Sequence, residues 1–228
     1  NYMYHDRNEI DPEGHATDLF SQWSIDYLNS RKGKEEPFLL YLAYNAPHTP
    51  IQPPEHWEQK VLQRESVIDP QRAKLVALIE HMDDGIGKVL SALKQNGQSE
   101  NTIVVFTSDN GGMEAVPGER ITDNAPLDKG KINAKEGGVR VPLIITGPGI
   151  RAGTESQALI NGLDFYPTIL TWTGTPKPAS QRLDGADLSR YLVSDVAQTD
   201  RILGPGGRPR DTMVWHFPNS VALESTIR

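Results

Sequence analysis

The chain has no cysteine among its 228 residues. Disulfides, thiolate metal sites and a nucleophile derived from cysteine are therefore excluded within it. Aromatic residues are few, at 7%, and a basic surplus is missing: 23 Lys and Arg stand against 30 Asp and Glu, a formal charge of −7. A general nucleic-acid binder normally carries the opposite balance, so no nucleic-acid partner is expected. No stretch approaches the roughly 18 uninterrupted apolar residues that a membrane-spanning helix needs, and the polar opening NYMYHDRNEI does not read as a signal peptide. No membrane partner is expected either. The 37% of hydrophobic residues still suffice for a core, in one large domain or two small ones.

Helix and strand signals alternate along the chain. Leu19, Phe20, Trp23, Tyr27 and Leu28 recur at helical spacing over residues 15–30, and the run dissolves into charged residues 31–36. After Pro37, the almost unbroken apolar run FLLYLAY reads as a strand covered on both faces. A proline-rich loop, 45–54, follows. Asp69 can cap a helix that Pro70 opens and Gly97 ends, with Val76, Ile79, Met82, Ile86, Val89, Leu90 and Leu93 as its apolar stripe. TIVVFTS and VPLIIT read as two further strands separated by a long polar loop, and residues 164–172 as a helix with Pro167 in its first turn and Gly174 beyond its end. The predicted fold is a layered α/β/α sandwich with a mostly parallel sheet. The core α/β part spans 15–175, and 176–228 is an irregular tail.

In open α/β sheets ligands gather where strands end, which directs attention to the residues just after FLLYLAY and TIVVFTS. The first strand runs into Asn45-Ala46-Pro47-His48-Thr49-Pro50, where prolines can hold the His48 imidazole in place. The second runs into Asp109-Asn110-Gly111-Gly112, in which a carboxylate and an amide oxygen suit a hard cation and the glycines allow close backbone approach. Each has a plainer reading, a surface histidine and an ordinary turn. Lys131 lies in a glycine-rich loop, 130–142, that lacks the phosphate-loop pattern G-x-x-x-x-G-K-[ST] but can meet an anion. Asp83 and Asp84 are consecutive on the secure helix, point about 100° apart, and read as a solvated face.

Taken together and in order, PFLLYLAYNAPHTP, IEHMDDGIGKVLSAL, NTIVVFTSDNGG, KEGGVRVPLIITGPG and LDFYPTILTWTG resemble the type I sulfatases, the formylglycine-dependent branch of the alkaline phosphatase superfamily. The resemblance runs from about residue 15 to 218. It implies a hydrolase of sulfate esters acting on a sulfated small molecule or glycan. It assigns Asp109 and Asn110 to the metal, Ca²⁺ or Mg²⁺ in its place, and His48 and Lys131 to catalysis at the sulfate. It assigns His216, in Trp215-His216-Phe217-Pro218, to substrate contact just beyond a short strand at 212–215. By the same resemblance the intact protein is periplasmic or secreted.

Two departures matter. Lys135 stands where the family has Tyr or Trp before E-G-G. The nucleophile motif C-x-P-S-R or S-x-P-S-R, the first pair of metal-binding aspartates and the G-K-W-H-L-G segment do not occur in these residues. The expectation is therefore the C-terminal part of a large sulfatase domain, 1–228, leading towards a C-terminal subdomain. A phosphodiesterase or phosphonate monoester hydrolase of the same superfamily and a non-catalytic paralogue are the alternatives. Because the chain holds no covalent nucleophile, the purified 228-residue polypeptide is expected to release no 4-nitrophenol from 4-nitrophenyl sulfate above a denatured control; measurable turnover would overturn the assignment.

Overall fold

The computed structural model describes residues 3–114, 122–193, 202–218 and 223–228. Residues 115–121 of the long polar loop, and 194–201 and 219–222 of the expected tail, lie outside the described residues. The chain divides into two compact units, Asn1–Asn101 and Thr102–Arg228.

The first unit opens with an antiparallel hairpin, β1 (Met3–His5) with β2 (Asn8–Ile10), which the polar sequence did not announce. Helices α1 (Ala16–Ser30), α2 (Glu55–Arg64) and α3 (Pro70–Gln95) follow, and α3 packs against both others. Its start is as expected: Asp69 Oδ1 accepts from the backbone N–H of Gln71 and of Arg72, each at 3.0 Å, and Pro70 occupies the first turn. Gly97, at φ 72°, ends it in a conformation that glycine adopts at little cost.

The buried faces differ from the expected apolar stripes. On α1 the buried residues are Thr17, Ser21, Ser24 and Leu28, while Trp23 and Tyr27 are exposed. On α3 the buried set includes Ala73, Ala77, Leu78, His81 and Gly85, whereas Ile79 and Leu90 face outwards. Close approach of the helices selects small residues: a Cβ on Gly85 would lie 2.5 Å from Ser21 Oγ. The two buried serines satisfy themselves along the helix, Ser21 Oγ donating to Thr17 O and Ser24 Oγ to Phe20 O, both at 2.7 Å. Val61 of α2 completes this core against Ala73 and Ala77.

Residues 38–44 alternate between half-buried and exposed, the period of an extended chain. They have no ladder partner among the described residues, and Leu39 and Tyr41 are exposed. The expected doubly covered strand is thus an extended segment covered on one face. Phe38 meets Tyr27 edge-on, and Tyr44 donates its hydroxyl to Ser21 Oγ at 2.7 Å. Burial raises the Tyr44 pKa above its ordinary value and keeps the phenol a donor.

In the second unit β3 (Val104–Thr107) pairs with β4 (Leu143–Thr146), and the short helix α4 (Glu136–Val139) lies between them in sequence. Helices α5 (Phe165–Trp172) and α6 (Ser189–Val193) precede the hairpin of β5 (Val214–Pro218) and β6 (Leu223–Ile227). The chain is of the α/β class, but every ladder among the described residues is antiparallel. The connection from β3 to β4 carries only the short helix α4, and the hairpins of β1 with β2 and of β5 with β6 pair antiparallel as tight connections require.

Asp164 organises this unit's interior. Fully buried, its carboxylate receives Arg210 through two bonds of 2.6 and 2.7 Å, together with the backbone N–H groups of Asn161 (2.9 Å) and Ala186 (2.7 Å). Its carbonyl accepts from Thr168 Oγ1, which in turn accepts from Leu188 N. Ala186, Leu188 and Ile202 form the adjoining apolar cluster. Removing one member of such a buried pair leaves a desolvated charge. Arg210→Ala is expected to destabilise the chain by about 3–5 kcal/mol in denaturant titration; a change below about 1 kcal/mol would show that the backbone donors alone satisfy Asp164.

Candidate metal and anion site

Strand β3 delivers Asp109 and Asn110 to the point where the chain leaves the ladder. Ser108 Oγ donates to the Asn110 carbonyl at 2.9 Å, and Asn110 Nδ2 donates to Gly111 O at 3.0 Å. The loop's donors are thereby engaged, while the exposed Asp109 carboxylate makes no hydrogen bond or ion pair among the described residues. A free carboxylate beside an amide oxygen is a hard-oxygen donor set. It fits part of a Ca²⁺ site, since that ion takes about six to eight oxygens.

The loop carrying Lys131 is bound to this one through the backbone. Gly111 N donates to Gly138 O and Lys131 N to Gly112 O, both at 3.0 Å, while Asn124 Nδ2 bridges Gly112 O (2.9 Å) and Lys129 O (3.0 Å). The approach leaves no room for side chains at the crossing. A Cβ on Gly111 would collide with the Gly137 carbonyl oxygen, and one on Gly130 with that of Gly112. Ile132, a β-branched residue at φ 74°, holds a strained left-handed conformation next to Lys131. The Lys131 ammonium has no partner among the described residues, so its charge is available to an anion. Asp109 lies three residues from Gly112, at most about 11 Å of chain. One crossing therefore carries both a carboxylate and an ammonium that have no partner among the described residues.

His48 lies in the first unit, exposed in the proline loop. Its backbone N–H donates to Asn45 O at 2.9 Å, and Nδ1 donates to the Thr49 carbonyl at 2.7 Å. A carbonyl only accepts, so Nδ1 carries the proton and Nε2 is left with a lone pair and no partner among the described residues. Lys135 precedes α4 as an exposed residue in extended backbone, its side chain making no cap bond. Asp84 pairs with Lys88 at 2.7 Å along α3, the solvated helix face that was expected. His216 does not lie beyond a strand end. It sits in the middle of β5, exposed, with Nδ1 2.8 Å from Ser225 Oγ on the opposite strand. Pairing with β6 carries the strand on to Pro218 and puts Trp215 and Phe217 on its more covered face, with His216 on the other.

Residues 1–175 match the sulfatase family model. The chain belongs to the sulfatase family. It is 33% identical over 218 residues to a sulfatase of Formosa agariphila, covering 90% of this chain and 37% of that protein. It is 34% identical over 178 residues to the N-acetylgalactosamine-6-sulfatase of Mus musculus, covering 77% and 32%. Among solved structures it resembles Ps i-CgsB in complex with k-i-k-neocarrahexaose, at 33% identity and a TM-score of 0.76 over 83% of this chain and 41% of that one. The chain thus spans about two fifths or less of the length of these three relatives. Their alkaline-phosphatase-like α/β fold is the fold to which this sulfatase chain belongs.

A second metal-capable group went unseen in the sequence: ligand atoms of His15, Asp18 and His81 lie within 4.8 Å of one another. Asp18 and His81 are 63 residues apart, so no spacing motif announces them.

If the glycine crossing holds the loops, Gly111→Ala must displace a carbonyl and is expected to lower stability by about 1–3 kcal/mol. Gly87→Ala, in open space on α3, should stabilise by up to about 1 kcal/mol through helix propensity. Thermal unfolding of both variants checks this, and a neutral Gly111→Ala would sink the crossing argument.

Proposed function

We propose that the protein of which these residues form part hydrolyses sulfate esters of a saccharide, with Asp109 and Asn110 as metal ligands, Lys131 as the sulfate-binding cation and His48 as the proton donor to the leaving oxygen. The observation that carries this reading is the backbone crossing, which joins an unclaimed carboxylate and an unclaimed ammonium in a sulfatase-family chain. A divalent cation held there would draw charge from the sulfate oxygens. Lys131 binds and orients the same anion from the second loop and stabilises charge that grows as the ester bond breaks. His48, its Nδ1–H anchored on Thr49 O, presents Nε2; as an imidazolium it donates that proton to the departing alkoxide. The nucleophile implied by the resemblance, formylglycine, is not supplied by these residues, and no step is assigned to it.

A sulfated saccharide is the proposed substrate class, supported by the relative named for N-acetylgalactosamine 6-sulfate and by the carrahexaose complex of Ps i-CgsB. A periplasmic or secreted location is proposed with it, since a charged oligosaccharide does not cross a bilayer unaided. Among the described residues no helix is long and apolar enough to cross a membrane. The family match runs across the boundary at residue 101, which supports a proposed single sulfatase domain containing both units. A substrate contact for His216 is retained as a proposal, now from an exposed strand position.

In the full-length enzyme, Lys131→Ala is expected to lower kcat by roughly 10² or more with a smaller change in KM. His48→Ala should cost at least roughly 10² on a sugar sulfate and much less on 4-nitrophenyl sulfate, whose leaving group departs without a proton. An equal loss on both substrates would remove His48 from the proton-donor role.

A further inference from the structure

None of the residues assigned above includes the densest group of metal-ligating side chains among the described residues. His15 caps α1: its Nδ1 accepts from Thr17 N at 3.1 Å, while Nε2 lies 3.0 Å from Gln52 O. Because a carbonyl cannot donate, Nε2 carries the proton and Nδ1 holds the lone pair. Asp18, in the first turn of α1, places Oδ1 2.9 Å from His81 Nε2 on α3. The His81 side chain is 3% exposed and that of Asp18 55%. The His81 ring is clamped between Trp57, stacked at 5.8 Å, and His15, edge-on at 4.7 Å. Two buried polar atoms at this place, His81 Nδ1 and Thr17 Oγ1, have no hydrogen-bond partner among the described residues.

We propose that His15, Asp18 and His81 form a site for a borderline divalent metal of the Zn²⁺ class, bound by three side chains and completed by water on the open Asp18 side. Two imidazoles and one carboxylate make a mixed nitrogen and oxygen set, which suits Zn²⁺ and its first-row neighbours, whereas Ca²⁺ takes oxygen ligands. The geometry is close to ready. Zinc bonds of about 2.0–2.1 Å place tetrahedral ligands about 3.3 Å apart, and the present donors lie within 4.8 Å. Asp18 and His81 already stand 2.9 Å apart, so the adjustment falls mainly on His15, which must close on the other two. His15 already makes the outer contact common to metal-bound histidines, its far N–H donated to a carbonyl. The cost of ligation is the cap bond from Thr17 N.

A metal-free brace, His81 hydrogen-bonded to Asp18, is the competing account. It accounts for the contact of His81 with Asp18 and for the cap that His15 gives α1, but not for the convergence of all three ligand atoms within 4.8 Å of one another. A bound ion would tie the start of α1 to the middle of α3. Through Gln52, four residues beyond His48, it would also steady the proline loop.

The test is isothermal titration of ZnCl₂ into the 228-residue chain after chelator dialysis. The expected result is about one Zn²⁺ per chain at micromolar affinity or tighter, not displaced by millimolar Ca²⁺, with Co²⁺ giving visible absorption of tetrahedral type. His15→Ala and Asp18→Asn, chosen because His81 is buried and its loss threatens folding, should each weaken binding at least ~10-fold while circular dichroism stays unchanged. No Zn²⁺ uptake, or uptake that both variants leave intact, would overturn the proposal. Neither result bears on the roles given to Asp109, Asn110, Lys131 and His48.

Discussion

Two carbonyl oxygens, those of Gly137 and Gly112, stand where side chains would have to go if Gly111 or Gly130 were any other residue. Everything assigned to sulfate chemistry in the second unit depends on that approach. The ladder of β3 with β4 is four residue pairs long, too short to order the chain between Ser108 and Pro142 by itself. The bonds of Gly111 N to Gly138 O and Lys131 N to Gly112 O pin that segment instead, with Asn124 as a third tie. The strain at Ile132 persists because its surroundings over-determine it. The glycines of D-N-G-G and E-G-G are thus explained less by turn chemistry than by the need for two main chains to touch.

Signals that act within a few residues were legible in the sequence. Asp69, Pro70 and Gly97 set the ends of α3, and β3, β4 and α5 fall where apolar runs and turn residues placed them. Properties decided by a partner element were not. Apolar weighting pointed to Trp23, Tyr27, Ile79 and Leu90 as core, yet the contact of α1 with α3 buries Ser21, Ser24 and Gly85, because helix axes come closest where side chains are small. An apolar run such as VVFT shows that a strand forms but not the direction of its neighbour. The end of β5, and with it the position of His216, is set by pairing with β6.

The candidate site follows the same division. Asp109, Asn110 and Lys131 could be read because each sits in a local motif, and the fold then brings their loops together. His15, Asp18 and His81 meet only through the packing of α1 on α3, and His15 reads in sequence as nothing more than the first residue of a helical run. α2 was equally silent, since its ten residues bury a single side chain, Val61.

Asp164 and Asp109 show what separates a structural carboxylate from one open to a ligand. Asp164 is wholly buried and meets four N–H donors, two from Arg210 and two from the backbone, so its charge is fully matched inside the protein. Asp109 is exposed, and the hydroxyl and amide donors nearest to it in sequence, on Ser108 and Asn110, are turned to main-chain carbonyls instead. A carboxylate without donors keeps its lone pairs for a cation, and one crowded with donors cannot take a cation without breaking its own network. The same test finds His216, His81 and His48 each held at one nitrogen. His216 has its partner across a ladder, and His81 is half satisfied. His48 is anchored at one nitrogen and open at the other, the arrangement in which an imidazole can move a proton without losing its orientation.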